Sequence, residues 1–288
     1  MKFAKSLRTL RTAHVLAAAA LTFAATSASA ASTWNTTSNC ATQSGSTATA
    51  NLGNSLSCGS SGGVSLSASG FSTSNGATSS TGTALQTAAV YNWGGSNGLG
   101  VVNRYEDPSA TGPHAVDNQY GTDMLLLSFS QAMDLTSVGL GWVGSDYDFS
   151  VLAWTGSGAP TLAGKTVTGT ASTSTLLSSG WTLVANYGNS TTANVVTNLY
   201  SSYWLVSAYN TSFGTKTADG TTPTMGNSNN YDAFKVLNVA ANTCSGTVTN
   251  NSCGPKNNNV PEPGSLALMG AALLGLIGTT RRRAAKQA

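Results

Sequence analysis

Two features of the sequence predict an all-β protein, a jelly-roll-like β-sandwich followed by one C-terminal transmembrane helix. Charged residues make up only 8% of the chain, so the helix-favouring Glu, Lys and Arg are scarce. Gly and Asn interrupt the apolar runs about every ten residues, as the turns between short strands do. Roughly seven such runs follow one another after residue 84, which is the pattern of a sandwich rather than of a helical domain.

Residues 1–30 have the features of a secretory signal peptide. Four basic residues precede an apolar segment at residues 15–25, and Ala28 and Ala30 are the small residues of a cleavage site. Cleavage there makes Ala31 the first residue of the mature chain. The apolar segment is too short to span a bilayer, so we expect removal of this peptide rather than an N-terminal anchor.

Removal of the signal peptide changes the charge of the protein. The whole chain has a formal net charge of +3, but eight of its 13 basic residues lie in the first 30 and the last eight residues. Between residues 31 and 260, one Arg and four Lys stand against nine Asp and Glu, a net charge of −4. Binding to nucleic acid depends on clustered Lys and Arg that displace counterions from phosphates. We therefore predict no nucleic-acid partner.

The mature chain divides into a Ser/Thr/Gly-rich N-terminal region, residues 31–83, and a β-sandwich domain, residues 84–243. Within the N-terminal region, residues 64–68 alternate apolar and polar side chains, as a half-buried strand does. The candidate strands of the sandwich are residues 89–93, 99–102, 124–129, 138–143, 149–154, 181–185, 202–209 and 231–239.

Four cysteines lie in the mature chain: Cys40, Cys58, Cys244 and Cys253. Export would place them in an oxidising compartment, where disulfides persist. Each neighbouring pair can close a local loop, and the second pair makes residues 244–259 a disulfide-closed linker. Pairing between the two ends of the chain is also allowed, because four cysteines permit three connectivities.

Acidic residues accumulate near the centre of the chain. Glu106, Asp107 and Asp123 belong to this acidic stretch, together with the candidate ligands of a metal ion. Ca²⁺ takes six to eight oxygen ligands from carboxylates, amides and carbonyls. On a regular strand Asp146 and Asp148 share a face, since side chains repeat every second residue. A structural Ca²⁺ is therefore the one cofactor that the sequence suggests, and the alternative is a set of solvated carboxylates that keep a neutral surface soluble. The candidate ligands are Asp117, Asn118, Asp146 and Asp148.

Residues that would carry catalysis are sparse. A hydrolase triad would have to use His114, the one histidine of the mature chain, with Asp117, which is only three residues away. A glycosidase would need two carboxylates that face each other across a cleft. We therefore predict that the protein is not an enzyme, with a secreted glycosidase-like enzyme as the least favoured alternative.

The last 29 residues have three parts in a fixed order. Val260, Pro261, Glu262 and Pro263 come first. Residues 264–280 are apolar or small and uncharged, and about 17 residues is the lower limit for a helix that spans a bilayer. A basic tail, residues 281–288, follows and contains Arg281, Arg282 and Arg283, which hold that end in the cytoplasm because basic flanks resist translocation.

These three parts resemble the sorting signal of the PEP-CTERM proteins. In that family the membrane protease-transpeptidase exosortase processes the tails of exported proteins in Gram-negative bacteria that produce exopolysaccharide. Residues 97–101, 113–118, 139–156 and 231–236 are similar to segments of exosortase-dependent surface proteins that carry such tails. That family is defined by its sorting, so the resemblance implies a location and a processing partner rather than a reaction.

The function predicted from these features is that of an exported, non-enzymatic protein of the cell surface or the extracellular matrix. It would be tethered transiently in the inner membrane as a precursor and then processed by exosortase. The alternative is a module that binds carbohydrate, with exopolysaccharide as a possible partner. Such a module, shaped in part by Ca²⁺, would present aromatic faces to sugar rings, and the candidates are Trp142, Trp154, Trp181 and Trp204.

Overall fold

A computed structural model describes residues 31–41, 51–73, 84–106, 114–167, 174–218, 220–224 and 230–255. The predicted signal peptide and the sorting tail, residues 260–288 with the transmembrane segment 264–280, lie outside these residues. Among the residues described, no helix is long and apolar enough to cross a membrane.

The described chain is mostly β-strand, which confirms the all-β prediction. Its helices, α1 (Thr36–Asn39), α2 (Thr175–Ser178) and a 3₁₀ turn (Thr211–Phe213), have four residues or fewer. The strands are β1 (Ala31–Asn35), β2 (Ser55–Ser61), β3 (Val64–Thr73), β4 (Leu85–Asn92), β5 (Leu99–Val102), β6 (Val116–Asp117), β7 (Asp123–Val143), β8 (Phe149–Trp154), β9 (Trp181–Tyr187), β10 (Thr192–Asn194), β11 (Ser201–Ala208), β12 (Ala233–Thr243), β13 (Val248–Thr249) and β14 (Ser252–Cys253).

Twelve of these strands belong to one sheet, in the order β1-β12-β5-β4-β3-β7-β11-β8-β9, with β2, β6 and β10 paired beside this path. The 21-residue strand β7 is shared by the two parts of this sheet. The first part of β7 lies between β3 and β11, whereas its second part, from Met133 onward, pairs with β12 and β10. Because β12 also pairs with β5, the pairings β3–β4–β5–β12–β7 form a closed circuit. The sheet therefore folds over on itself along β7.

The folded sheet encloses one large hydrophobic core and carries a smaller one on its outer face. Trp34, Phe149 and Trp204 are fully buried in the large core. The smaller core contains Leu152 and Leu205 and is covered by residues between β8 and β9. All six residues of β8 are therefore buried. Burial contributes about 1.5–3 kcal/mol for each large apolar side chain, so β8 is strongly held from both sides.

The Ser/Thr/Gly-rich region 31–83 supplies β1, β2 and β3 to the same sheet as the rest of the domain. Ala31, the predicted first residue of the mature chain, begins β1, which pairs with β12 over five residues. The structure pairs Cys40 with Cys58 and Cys244 with Cys253, which is the local one of the three possible connectivities.

Candidate functional site

Three buried aspartates meet where β8 and β12 begin. Asp146 and Asp148 lie in the connection from β7 to β8, and Asp232 immediately precedes β12. A parallel bridge joins Asp146 to Asp232, and the amide of Ala233 donates to the Asp146 carbonyl at 2.9 Å. One carboxylate oxygen from each aspartate lies within 4.8 Å of the other two. Their exposed fractions are 5%, 2% and 0% for Asp146, Asp148 and Asp232. We call this group the Asp232 cluster.

Nitrogen donors orient two of the three carboxylates. Asp148 accepts from the backbone amides of Asn189 at 2.8 Å and Thr224 at 2.7 Å. Asp232 accepts from the Asp148 amide at 3.0 Å and from Asn118 Nδ2 at 2.6 Å. Both side chains are thereby held in fixed directions by the loops around them.

Only one of the two carboxylate oxygens of Asp146 has a hydrogen-bond partner among the described residues. Its Oδ2 accepts from Asn230 Nδ2 at 3.2 Å. Its Oδ1 is buried and has no hydrogen-bond partner in the described part of the chain. A buried polar atom without a partner costs free energy, so native proteins rarely leave one in this state.

The Asp232 cluster concentrates negative charge. Burial, and then the charges of Asp146 and Asp148, raise the pKa of Asp232 to about 8. Among the described residues neither Asp146 nor Asp232 has an ion-pair partner. Such an arrangement suits either a hard cation, which prefers carboxylate oxygens, or a proton retained by one of the carboxylates.

A second group, the Asp123 cluster, contains Glu106, Asp117 and Asp123, whose ligand oxygens also lie within 4.8 Å of one another. Burial is the main cause that raises the pKa values of Asp117 and Asp123, and Glu106 adds to both shifts. Side chains of the domain hydrogen-bond to this cluster. Asn103 Nδ2 donates to Glu106 at 3.4 Å and to Asp123 Oδ1 at 3.3 Å, and His114 Nδ1 lies 3.4 Å from Glu106 Oε2. Asp123 Oδ2 is nevertheless buried without a partner among the described residues.

The structure divides the four predicted Ca²⁺ ligands between these clusters. It brings Asp146 and Asp148 together and places Asp117 in the Asp123 cluster. Asn118 does contact the Asp232 cluster, but as a hydrogen-bonding partner. Its Nδ2 donates to Asp232 and its Oδ1 accepts from the Asp232 amide at 2.9 Å. The sequence reasoning missed Asp232, which lies 84 residues after Asp148 and reaches it only through the bridge between the segments that precede β8 and β12.

Most of the predicted sugar-binding tryptophans are packing residues. Trp204 and Trp181 have exposed fractions of 0% and 2%, and Trp154 of 9%. Trp142 is half-buried, and Lys235 Nζ lies 4.4 Å from its ring centre. Burial lowers the pKa of that lysine to about 8. Three of these four rings are therefore buried in the domain, and Lys235 lies over the ring of the fourth.

A groove of about 630 Å³ lies across the β8–β11 end of the sheet. Trp154, Tyr200 and Tyr203 line it together with serine and threonine hydroxyls. The hairpin β13–β14 forms one wall, and Asn251 Nδ2 fixes it there by donating to the carbonyl oxygens of Tyr200 at 2.8 Å and Trp154 at 3.3 Å. No acidic residue lies among the described residues that line the groove, so it lacks the carboxylate pair of a glycosidase.

Residues 94–98 read Gly-Gly-Ser-Asn-Gly, which matches the Gly-x-Ser-x-Gly spacing of a hydrolase nucleophile. The structure places them in the turn between β4 and β5, closed by the Trp93 amide, which donates to the Gly98 carbonyl at 3.1 Å. A nucleophile elbow requires a strand-to-helix turn instead. In this protein the Gly-x-Ser-x-Gly spacing therefore belongs to the turn of a β-hairpin.

Comparison with known protein families identifies one segment. Residues 259–283 match the model of the PEP-CTERM protein-sorting motif. The match includes Val260 to Pro263 and Arg281 to Arg283, so the resemblance predicted from the tail is confirmed. Comparison with curated proteins and with solved structures gave no match. The motif indicates that the protein is exported, sorted by exosortase and processed at the membrane on its way to the cell surface.

Proposed function

We propose that the protein is a non-enzymatic component of the cell surface or extracellular matrix of a Gram-negative bacterium. The observation that supports this most directly is the sorting motif at residues 259–283. The mature domain would be a jelly-roll-like β-sandwich. It would act through its binding surfaces and catalyse no reaction.

The tail has a physical rationale as a processing signal. Residues 264–280 would hold the precursor in the inner membrane, with Arg281, Arg282 and Arg283 on the cytoplasmic side. Proline restricts the backbone and lacks an amide donor, so Pro261 and Pro263 disfavour a helix at this position of the sequence. Glu262 then offers one charge at a defined position for exosortase to recognise.

Two features of the domain support a role without catalysis. Its carboxylate clusters are buried, whereas the groove that is open to solvent is lined by aromatic, hydroxyl and amide groups. The mature chain is also poor in charge, which favours contact with neutral polymers such as polysaccharide over contact with nucleic acid.

The sorting proposal is tested by intact-mass analysis of the full chain expressed with and without exosortase. With exosortase we expect loss of the mass of the tail and release from the inner membrane. Without it the C-terminus should remain at Ala288. Replacement of Pro261, Glu262 and Pro263 by Ala should reproduce the second result, whereas Pro255→Ala, a proline before the motif, should not. A C-terminus at Ala288 in both strains would refute the proposal.

The groove favours a second candidate function, the binding of a neutral polysaccharide. Tyr200 and Tyr203 are half-buried and stand beside hydroxyl groups that can pair with sugar hydroxyls. Titration with the exopolysaccharide of the producing strain should show binding that Tyr200→Ala weakens about fivefold, since one aromatic contact contributes on the order of 1 kcal/mol. Tyr120→Ala is the matched control, because Tyr120 is 43% exposed and does not line the groove. Equal binding by both variants would exclude the groove as the binding site.

A further inference from the structure

The starting observation is the buried Oδ1 of Asp146. It belongs to a residue that is only 5% exposed, and it has no hydrogen-bond partner within the described structure. The carboxylates of Asp148 and Asp232 stand beside it, with one oxygen of each residue within 4.8 Å of the others. Like charges at this distance in a buried site repel more strongly than they would at the surface. A stable fold therefore requires something to offset the repulsion.

The spacing of the three oxygens in the Asp232 cluster is compatible with calcium, as is that of the Asp123 cluster. Ca²⁺ binds oxygen ligands at about 2.3–2.6 Å, so two ligands on opposite sides of the ion are roughly 4.8 Å apart. The three oxygens fall within that limit. Mg²⁺ requires a tighter octahedron at about 2.0–2.1 Å and retains several waters, which a buried site accommodates poorly.

Asp146 and Asp232 retain capacity for a cation. An ionised carboxylate offers about four lone-pair positions. Asp232 accepts one hydrogen bond on each oxygen, from the Asp148 amide and from Asn118 Nδ2. Asp146 accepts one on Oδ2 from Asn230 Nδ2, and its Oδ1 accepts none within the described structure. The amides of Asn189 and Thr224 fix the direction of the Asp148 carboxylate.

We propose that Asp146, Asp148 and Asp232 bind a Ca²⁺ ion that stabilises the fold. The ion would join the β7–β8 connection to the start of β12. Through Asp148 it would also order the chain at Asn189 and Thr224, whose amides this aspartate holds. An exported protein meets free Ca²⁺ outside the cell, and extracellular modules bind it with a Kd of about 10⁻⁴–10⁻³ M. This inference does not depend on the proposed sorting or on polysaccharide binding.

The test uses the full-length chain in detergent, stripped of metal with EDTA. Calorimetric titration with CaCl₂ should show binding, and 10 mM CaCl₂ should raise the Tm by about 3–8 °C relative to EDTA. MgCl₂ at the same concentration should give a much smaller shift. Wild type that neither binds Ca²⁺ nor gains thermal stability from it would overturn the proposal without any variant.

Two matched variants locate the ion. Asp146→Asn keeps the shape of the side chain but removes its charge, so it should bind Ca²⁺ at least about tenfold more weakly and lose the Tm shift. In EDTA its Tm should equal or exceed that of wild type, because the repulsion is reduced. Glu106→Gln makes the same change in the Asp123 cluster and should retain the shift. If Glu106→Gln abolishes the shift and Asp146→Asn retains it, the ion lies in the other cluster and the assignment is wrong.

Discussion

The two acidic clusters have similar compositions but differ in how their charge is compensated. Each contains three carboxylates and one residue near an end of β7: Asp123 begins that strand, and Asp146 follows its end. In the Asp123 cluster, Asn103 and His114 contribute donors from side chains. In the Asp232 cluster, backbone amides and the side chains of Asn118 and Asn230 donate, and neither Asp146 nor Asp232 has an ion-pair partner among the described residues. Each cluster keeps one buried oxygen without a partner in the described structure, Asp146 Oδ1 in one and Asp123 Oδ2 in the other. The difference shows that a count of carboxylates does not distinguish the two clusters, whereas the histidine beside one of them does.

Of the substitutions that distinguish the two clusters, Asp148→Ala is expected to have the largest effect on the free energy of unfolding. This change leaves the amides of Asn189 and Thr224, which belong to exposed residues, without their acceptor, and each hydrogen bond to a charged group contributes about 1.5–3 kcal/mol. We expect the free energy of unfolding, measured by urea denaturation, to fall by about 2–4 kcal/mol in EDTA. The loss should be larger in CaCl₂, because Ca²⁺ stabilises only the wild type.

A loss of the same size in both media would show that Asp148 acts through its amide bonds alone. The Asp232 cluster would then have no need of a cation at Asp148. Asp134→Ala serves as the control, since it removes a buried carboxylate of β7 that belongs to neither cluster.

A smaller effect is expected from Asn103→Ala in the Asp123 cluster. Asn103 is 1% exposed, donates to Glu106 and Asp123, and accepts from the Tyr105 amide at 2.9 Å. Its loss should cost about 1–3 kcal/mol, to the same extent in EDTA and in CaCl₂. Dependence of this cost on Ca²⁺ in the urea titration would assign a cation to the Asp123 cluster as well.

Asn103→Asp provides a second comparison at the same position. It adds a fourth negative charge to the Asp123 cluster, so it should destabilise more at pH 7 than at pH 5, where more of the carboxyls are protonated. Equal destabilisation at both pH values would mean that the added carboxylate is solvated rather than buried with the others.

The strands could be predicted from sequence because their signals are local. Residues 149–154 and 99–102 were predicted as strands and appear as β8 and β5 with the same bounds. The single 21-residue strand β7 was seen only as two runs, at 124–129 and 138–143. The segment between these runs, which includes Ser130 and Gln131, was not assigned to a strand from the sequence. Ser130 and Gln131 are exposed near the point where β7 changes partners, a tertiary effect that no local pattern reports.

The candidate site was predictable only in part for the same reason. Asp146 and Asp148 are two residues apart, so their proximity follows from local geometry. Asp232 reaches them through the pairing of distant segments. The adjacent residues Asp117 and Asn118 were predicted together, yet they contact different clusters because neighbouring side chains in extended backbone point to opposite sides.

The smallest expected effect concerns Asp134, a buried carboxyl on β7 outside both clusters. Burial raises its pKa to about 6 from an ordinary value of 3.8, and its Oδ1 has no hydrogen-bond partner among the described residues. Below pH 3.8 the carboxyl is neutral in the folded and the unfolded chain, so it imposes no cost. Between pH 3.8 and 6 the unfolded chain ionises first, and the folded state loses stability as the pH rises. Above pH 6 the full cost remains.

Asp134→Asn removes this ionisation. Relative to wild type, its free energy of unfolding should therefore increase by about 1 kcal/mol between pH 4 and pH 7. The limit without solvent screening is about 3 kcal/mol. Urea denaturation at both pH values measures the change, and the titration of the two clusters cancels because both proteins contain them. A difference that does not vary with pH would mean that water reaches this carboxyl and that burial alone does not perturb it. The raised pKa values of the cluster carboxyls would then be caused more by neighbouring negative charges than by burial.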